Sequence, residues 1–389
     1  MSKLIRDFSV TAAFAGFLTF LIGISVSSVL VIQAARGLGA DVAEISSWFW
    51  ALGIGIGSAG LLLSWRFKYP VATSWSTAGL ALIIAVAEGY QLAEAIAAFL
   101  ICGALTAVLG FLGVFQRLLT SIPQALTSAM LAGVLLKFGI GLFADLQNHW
   151  SFILSLLAIY IVAKRFSPRY SLVITVIAGV MLSCFMLNFS LSALDWHPTT
   201  PVWVQPEFTW AALLGLALPL FVINMASQYL PGIAMIQNYG YKPHVNGLIG
   251  WTGLIQTLLA PFGAFSVNIA AISAAISLDE QVHPESSKRY IAGMVCGLCY
   301  IIMGLFAATL TQLLLAFPSL FIATLAGIAL LATISHNIVL AFQDVQHRDA
   351  ALMTFLFSAS GVQFFGIGSA FWGLLFGLSV YWIFKLKFK

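Results

Sequence analysis

The chain has 389 residues, of which 61% are hydrophobic and 8% are charged, and its mean hydropathy is +1.02. Soluble domains carry about 25% charged residues, so this composition excludes a soluble protein and indicates one that crosses a membrane many times. The net charge of +4 comes from scattered residues and gives no sign of nucleic-acid binding. The apolar run 8–32 is too long for a signal-peptide core, so we expect no cleavable leader.

The apolar segments set the predicted architecture. A spanning helix needs about 20 apolar residues, and shorter segments suit broken or tilted helices. We predict an all-α polytopic membrane protein with fourteen transmembrane segments. In chain order these are 10–32, 43–63, 70–87, 91–111, 121–143, 150–164, 170–188, 208–236, 245–260, 264–278, 289–315, 318–341, 350–362 and 366–384.

The charges between these segments predict the orientation. With the N-terminus in the cytoplasm, 15 of the 17 Lys and Arg residues fall on the cytoplasmic side, and only Arg36 and Lys137 do not. This is the bias of the positive-inside rule. We therefore expect both termini in the cytoplasm and the loop 188–207, which has no Lys or Arg, in the periplasm.

Segments 3 and 10 are predicted to be short, broken helices. Pro70 opens segment 3, and Pro261 and Gly263 precede segment 10, where proline and glycine disfavour a regular helix. We expect a half-helix that begins within 73–77 and ends near 87 in segment 3, and a half-helix over 266–278 in segment 10. A half-helix that begins inside the bilayer leaves N–H groups free and is tolerated where it lines a polar cavity. Two ordinary loops that begin with proline would give the same pattern.

Matching residues in the two halves predict an internal repeat. Pro70 and Pro261 lie 191 positions apart, and Pro123 and Pro318 lie 195 apart. The Ala-Gly pairs that begin at Ala132 and Ala326 lie 194 apart. Seven segments per repeat is an odd number, so the second copy inserts upside down and the two repeats are inverted.

Segment 8 carries most of the polar residues at membrane depth, and no Asp or Glu lies clearly inside any segment. Asn224, Ser227, Gln228 and Pro231 follow at i, i+3, i+4 and i+7, so a regular helix sets them on one face, beside a break at Pro231-Gly232. A cavity wall and hydrogen bonding between helices are both compatible with this face.

His336 and the cysteines are the remaining reactive residues at depth. His336 in segment 12 is a candidate proton carrier, although helix capping or packing would also explain it. Cys296 and Cys299 have the C-x-x-C spacing without further ligands, which favours packing thiols. We therefore expect no metal and no cofactor, and an enzyme embedded in the membrane is disfavoured.

Two stretches resemble a known family. The run 224–232, which reads NMASQYLPG, and the run 261–272, which reads PFGAFSVNIAAI, are similar to the bacterial benzoate:proton symporter family of the inner membrane. That resemblance implies the fold of nucleobase and sulfate-type anion transporters, which is compatible with a homodimer. It also implies a core domain at 1–114 and 207–316, a gate domain at 115–190 and 317–389, and a periplasmic connection at 191–206.

The resulting hypothesis is a secondary transporter that imports benzoate or a close relative with protons by alternating access. Its site would lie between segments 3 and 10, beside segment 8, and His336 would assist proton coupling. The residues expected to bind substrate are Thr73, Ser74, Trp75, Ser76, Asn224, Ser227, Gln228, Tyr229, Phe265, Ser266 and Asn268.

One departure leaves an alternative open. Nucleobase transporters carry glutamates in segments 8 and 10, whereas Asn224, Gln228 and Asn268 stand in those regions here. Neutral amides suit an anionic substrate, because a buried glutamate would repel it. A carrier or channel for another small anion or for a nucleobase on the same fold is the alternative.

Overall fold

The computed structural model describes residues 7–25, 27–114, 123–144, 146–187, 196–270, 273–365 and 367–385. The helices of the first half are α1 (Val10–Ser25), α2 (Ser28–Gly37), α3 (Val42–Phe67), α4 (Thr77–Val86), α5 (Leu92–Leu112), α6 (Gln124–Ala144), α7 (Leu146–Phe166) and α8 (Ser171–Met186). Those of the second half are α9 (Trp210–Asn238), α10 (Val245–Leu259), α11 (Ala274–Leu278), α12 (Tyr290–Leu305), α13 (Ala307–Ala316), α14 (Ser319–Gln343), α15 (Arg348–Ser360) and α16 (Ser369–Lys385). The predicted boundary at 190 and both ends of the chain lie outside the described residues.

The predicted helical, polytopic membrane architecture is confirmed. Within the described ranges, eight candidate spans are long and apolar enough to cross a membrane when α1 and α2 are counted together as one, and shorter apolar helices lie between them. The count of fourteen spans stays a prediction. Two predicted segments are each divided, because segment 1 forms α1 and α2, and segment 11 forms α12 and α13, which meet at Phe306.

Two extended stretches meet between the helices, in the regions of predicted segments 3 and 10. Strand β1 (Thr73–Ser74) runs antiparallel to β2 (Asn268–Ile269), with Thr73 opposite Ile269 and Ser74 opposite Asn268. Ala270 N donates to Ala72 O at 2.8 Å and extends the pairing. Hydrocarbon offers no hydrogen bonds, so extended backbone at membrane depth needs protein partners. Each strand supplies them for the other; we call this pair the strand crossing.

The half-helix predicted from Ser266 to Leu278 is wrong over its first part. Residues 264–267 are not helical, β2 follows them, and α11 is only five residues long, from Ala274 to Leu278. Pairing with β1 satisfies this backbone in an extended form, which explains why the helix does not begin at Ser266. In segment 3 the chain is likewise extended before α4 begins at Thr77.

Helix α9 also differs from the prediction. It contains two π-helical turns, at Leu213–Ala217 and Met225–Tyr229, and it continues through Pro231-Gly232 to Asn238. The predicted break at Pro231 is therefore wrong. A proline ring crowds the turn before it, and the wider π-turn at that position relieves the crowding. The π-turn also changes the residue spacing, so the single polar face assumed for a regular helix does not hold over 225–229.

Glycines allow pairs of helices to approach closely. Helices α3 and α12 cross where a Cβ on Gly297 would lie 2.6 Å from Gly57 O. Helices α5 and α10 cross at Gly253, where an added Cβ would meet the backbone N of Ala107. Small residues at crossings are typical of membrane helices. A second group forms where α6 packs on α14 and α15, and α15 packs on α16.

Candidate functional site

The break in segment 3 is held by hydrogen bonds to its neighbours. Thr73 Oγ1 donates to Ile56 O of α3 at 2.7 Å. Ser76 is the N-cap of α4, and its Oγ accepts from Gly79 N at 2.9 Å. The backbone N of Ser76 donates in turn to Ser266 Oγ at 2.8 Å, which ties the two breaks together. The side chains of Thr73, Ser76 and Ser266, which were all predicted site residues, therefore hold the backbone in place.

The break in segment 10 is held mainly by Gln256 of α10 and Tyr229 of α9. Gln256 Nε2 donates to Phe99 O at 3.2 Å and to Phe265 O at 3.0 Å, and its Oε1 accepts from Val267 N at 3.3 Å. Tyr229 OH donates to Val267 O at 3.0 Å. These bonds replace the ones that a helix would have made, so the extended backbone is satisfied at depth.

Two buried asparagines, Asn268 in the strand crossing and Asn224 in α9, have unused hydrogen-bonding capacity. Asn268 is 0% exposed, and neither atom of its side-chain amide has a hydrogen-bond partner among the described residues. Asn224 is 1% exposed, its Nδ2 lies 3.9 Å from Cys102 Sγ, and its Oδ1 has no partner in the same residues. A buried polar group without a partner costs about 1–3 kcal/mol. Such groups call for a ligand or another functional explanation.

The aromatic residues predicted to pack the substrate ring are already packed within the protein. Trp75 Nε1 donates to Ser27 Oγ at 2.7 Å. The Phe265 ring lies 6.2 Å from the Trp48 ring and 6.1 Å from the Phe99 ring, centroid to centroid. Trp48 is absent from the sequence prediction, and its buried indole N–H has no partner among the described residues. This cluster is therefore an apolar wall beside the strand crossing with one unused donor.

The remaining predicted site residues are more accessible. Of the eleven, Ser74, Ser227 and Gln228 are half-buried and the other eight are buried. Ser227 Oγ donates to Ile223 O of its own helix at 2.7 Å. His336 is exposed on α14, which packs on α6, so the structure does not bring it into the buried cluster.

Gln256 is the main site residue that sequence reasoning missed, and Thr252 is the second. Thr252 shares a 2.7 Å hydrogen bond with Tyr229 OH. Both residues lie in segment 9, where a glutamine among apolar residues is a signal of the kind already used for segment 8. Their role as anchors of segment 10 could not be read from the sequence, because it depends on how α10 faces that segment.

The chemistry of this cluster is neutral. The Asp and Glu side chains of the described residues lie at helix ends or in connecting segments. Hydroxyls and amides surround the strand crossing, and the N-terminal end of α4 adds the positive end of a helix dipole. An anion would meet donors here and no negative charge. In the described part of the chain, no group of three His, Cys, Asp or Glu side chains could hold a metal ion.

Comparison with solved structures identifies the fold. The structure is similar to the transmembrane domain of a cyanobacterial bicarbonate transporter, BicA, with a TM-score of 0.62 and 14% identity over 97% of each chain. The chain therefore has the fold of a membrane transporter.

The sequence then gives the family. The chain belongs to the benzoate membrane transport protein family, BenE, whose model matches residues 6–383. It is 41% identical to the inner membrane protein YdcO of Escherichia coli K12, over 96% of this chain and 95% of that one. It is 37% identical to the benzoate membrane transport protein of Acinetobacter baylyi, over 98% and 97% of the two chains. The protein is thus a multi-pass membrane transport protein and not an enzyme.

Replacing Gln256 tests whether it anchors the break in segment 10. Gln256→Leu keeps the size of the side chain but leaves Phe265 O and Val267 N without their partner. Each unsatisfied buried group costs about 1–3 kcal/mol, so we expect a clearly lower melting temperature and faster hydrogen exchange over 264–270. Gln237→Leu is the matched control, because Gln237 is exposed on α9. Equal melting and exchange in both variants would contradict the anchoring role.

Proposed function

We propose that this protein is a secondary active transporter that imports benzoate, or a closely related aromatic carboxylate, together with protons. Family membership and the name of the Acinetobacter relative support an aromatic carboxylate as the substrate. The cyanobacterial neighbour is named a bicarbonate transporter, and bicarbonate carries the same planar carboxylate group. The neutral donors at the strand crossing suit such a group.

One observation carries the choice of site: the buried Asn268 amide, whose nitrogen and oxygen both lack partners in the described residues. We place the substrate carboxylate against this amide. Asn268 Nδ2 would donate to one carboxylate oxygen, with Gln228 as a second donor from α9. The half-buried Ser74 is opposite Asn268 in the strand pairing, so it lies close enough to contribute. Trp48 and Phe265 would form the apolar wall beside the ring.

The same amide suggests how a proton travels with the substrate. A protonated carboxyl group has one O–H donor and one carbonyl acceptor, and an amide offers the complementary acceptor and donor. Asn268 can therefore pair with a neutral carboxylic acid through two hydrogen bonds. The Asp and Glu side chains of the described residues lie at helix ends or in connecting segments, away from the middle of the spans, so the substrate itself is the proposed proton carrier. His336 keeps its proposed role only as a secondary group, since it is exposed on α14.

Alternating access would follow from movement between two groups of helices. The glycine crossings join α3 with α12 and α5 with α10, which supports a rigid core domain of α1–α5 and α9–α13. The packing of α6 on α14 and α15 supports a gate domain of α6–α8 and α14–α16. Helix α4 packs on α6 and so lies at the boundary between them. We propose that the core moves against the gate and carries the strand crossing with it.

The proposed orientation has cytoplasmic termini and a periplasmic loop at 191–206. The described part of this loop lies over one end of the proposed core, where Ser47 Oγ accepts from Val202 N at 2.9 Å. A single cysteine at position 200, in a background without other accessible cysteines, should react with an impermeant thiol reagent applied from the periplasmic side. Reaction only after the inner membrane is opened would contradict this orientation.

Uptake into proteoliposomes tests the proposed function. Radiolabelled benzoate should accumulate above the level in protein-free liposomes, which measure passive entry of benzoic acid. The difference should saturate with concentration, increase when the outside is more acidic than the inside, and disappear with a protonophore. Uptake equal to that of protein-free liposomes would contradict the proposal. Unsaturable flux would favour a channel.

Binding to purified variants tests the proposed site. Asn268→Ala and Gln228→Ala each remove a hydrogen bond to a charged group, worth about 1.5–3 kcal/mol, or roughly ten- to a hundred-fold in affinity. Gln228→Glu should bind more weakly at neutral pH and recover as the pH falls, because its protonation removes the repulsion between like charges. Gln237→Ala serves as the exposed control. Folded Gln228→Ala and Asn268→Ala variants with wild-type affinity would exclude these residues.

A second candidate substrate is a small anion without a ring, favoured by the shared fold with a bicarbonate transporter. Competition distinguishes the two. Benzoate should displace labelled benzoate from the purified protein, whereas bicarbonate, acetate and uracil should not at the same concentration. Displacement by acetate as effective as by benzoate would show that the ring contributes nothing to recognition.

A further inference from the structure

Lys137 is a charged residue in an unusual place. It lies in the apolar helix α6, thirteen residues after its start and seven before its end. It is also one of two cations that depart from the positive-inside pattern. Its side chain is exposed. A charge within a membrane span is expensive unless it reaches the interface or a polar cavity, and such residues are usually functional. The ion pairs found in the described residues join Lys288 to Glu285 and His347 to Asp344, and neither includes Lys137.

Lys137 lines a cavity between several helices. The cavity lies where the C-terminal end of α4, at Val86, meets α6 and the turn between α15 and α16. Lys137 Nζ reaches across to this turn, because a Cβ added to Gly361 would collide with it. Gly361 has a positive φ of 68°, so this position favours the glycine that leaves room for the ammonium group.

Two further polar residues line the same cavity. Ser358 is 2% exposed, and its Oγ has no hydrogen-bond partner among the described residues. Gln363 is exposed in the turn, next to Gly89. A cation, a hydroxyl and an amide are the donors that carboxylate binding uses, and a charged donor strengthens such bonds. The cavity has a volume of only about 10 Å³, so it has room for about one water molecule. A carboxylate group would therefore bind at its mouth, where Lys137 and Gln363 are exposed.

The cavity lies at the far end of α4 from the strand crossing. Ser76 begins α4 at the crossing, and its ten residues extend about 15 Å to Val86. The cavity is on the same side as the start of α9, because a Cβ on Gly215 would contact Gly368 and Ile367 beside it. In the proposed orientation this is the periplasmic side. Helix α4 belongs to the proposed core, and the other helices around the cavity belong to the proposed gate.

We propose that Lys137, Ser358 and Gln363 form an outer carboxylate-binding site, where the substrate binds before it reaches the strand crossing. This inference rests on the proposed function for the identity of the cargo, although the site itself requires only an anion. Alternatively, Lys137 has a purely structural role, in which its ammonium group caps the C-terminal end of α15 by interacting with the carbonyl groups there. The two roles predict different responses to a charged probe.

The test uses Gln363→Cys as a reporter in the full-length protein. Cys184 and Cys299, the two cysteines that are not buried, are first replaced by serine. The reporter is then modified with sulfonatoethyl methanethiosulfonate, which is anionic, or with its cationic trimethylammonioethyl counterpart. A positive charge a few ångströms away should favour the anionic reagent. Lys137→Met should lower the anionic-to-cationic rate ratio roughly 4- to 16-fold.

Control variants make the result specific. Lys137→Arg should restore the ratio. Lys164→Met, which removes an exposed cation near the C-terminal end of α7, on the cytoplasmic side in the proposed orientation, should leave it unchanged. Millimolar benzoate should slow modification by the anionic reagent. An unchanged ratio in Lys137→Met, with or without a lower melting temperature, would overturn the outer site and leave the capping role.

Transport then separates this inference from the proposed function. Lys137→Met should raise the KM for benzoate uptake several-fold and leave the equilibrium affinity at the strand crossing unchanged in the purified protein. If wild-type protein takes up no benzoate but the reagent ratio still depends on Lys137, the proposed function fails and the anion site stands. If uptake is normal and the ratio does not respond, the function stands and the outer site fails.

Discussion

The need to satisfy backbone hydrogen bonds inside hydrocarbon is the constraint on which this structure depends. Two stretches, one from each half of the chain, are extended at the place where a helix would have satisfied them internally. They pair with each other, and Gln256 and Tyr229 provide hydrogen bonds for the second stretch. The close glycine crossings allow the helices that carry these side chains to pack nearby. Irregular backbone at membrane depth is thus stable only as part of this network.

Against that satisfied network, the unpartnered groups are informative. Folding has supplied partners for the backbone of the crossing but not for the side chains of Asn268 or for Asn224 Oδ1. An apolar residue at position 268 would avoid this loss of folding stability. The unpartnered amide is therefore best explained as a group that hydrogen-bonds to a ligand. A neutral amide can also pair with both the ionised and the protonated form of a carboxyl group. In the proposed mechanism, this property would link substrate binding with proton movement without a buried acid.

The sequence predicted the large features because they depend on local composition and spacing. Apolar segment lengths and charge distribution are enough to predict a polytopic helical protein, and prolines with glycine indicate where segments 3 and 10 depart from helix. The details that failed depend on tertiary context. Ser266 begins no helix because β1 offers a better partner, and Pro231 does not break α9 because a π-turn precedes it. Gln256 was missed because its role depends on which face of α10 contacts α5 and segment 10, and a single sequence does not show that contact.

In the proposed site, the substrate carboxylate lies against the Asn268 amide at the strand crossing. Solid-state NMR of the protein in lipid, with benzoate labelled by ¹³C at the carboxyl carbon and asparagine labelled by ¹⁵N at the side chain, measures this directly. A hydrogen bond of ordinary length sets the carbon and nitrogen about 4 Å apart, so their dipolar coupling should be measurable and should disappear in Asn268→Ala. No coupling to an asparagine side chain in the bound complex, or a coupling that persists in that variant, would contradict the account.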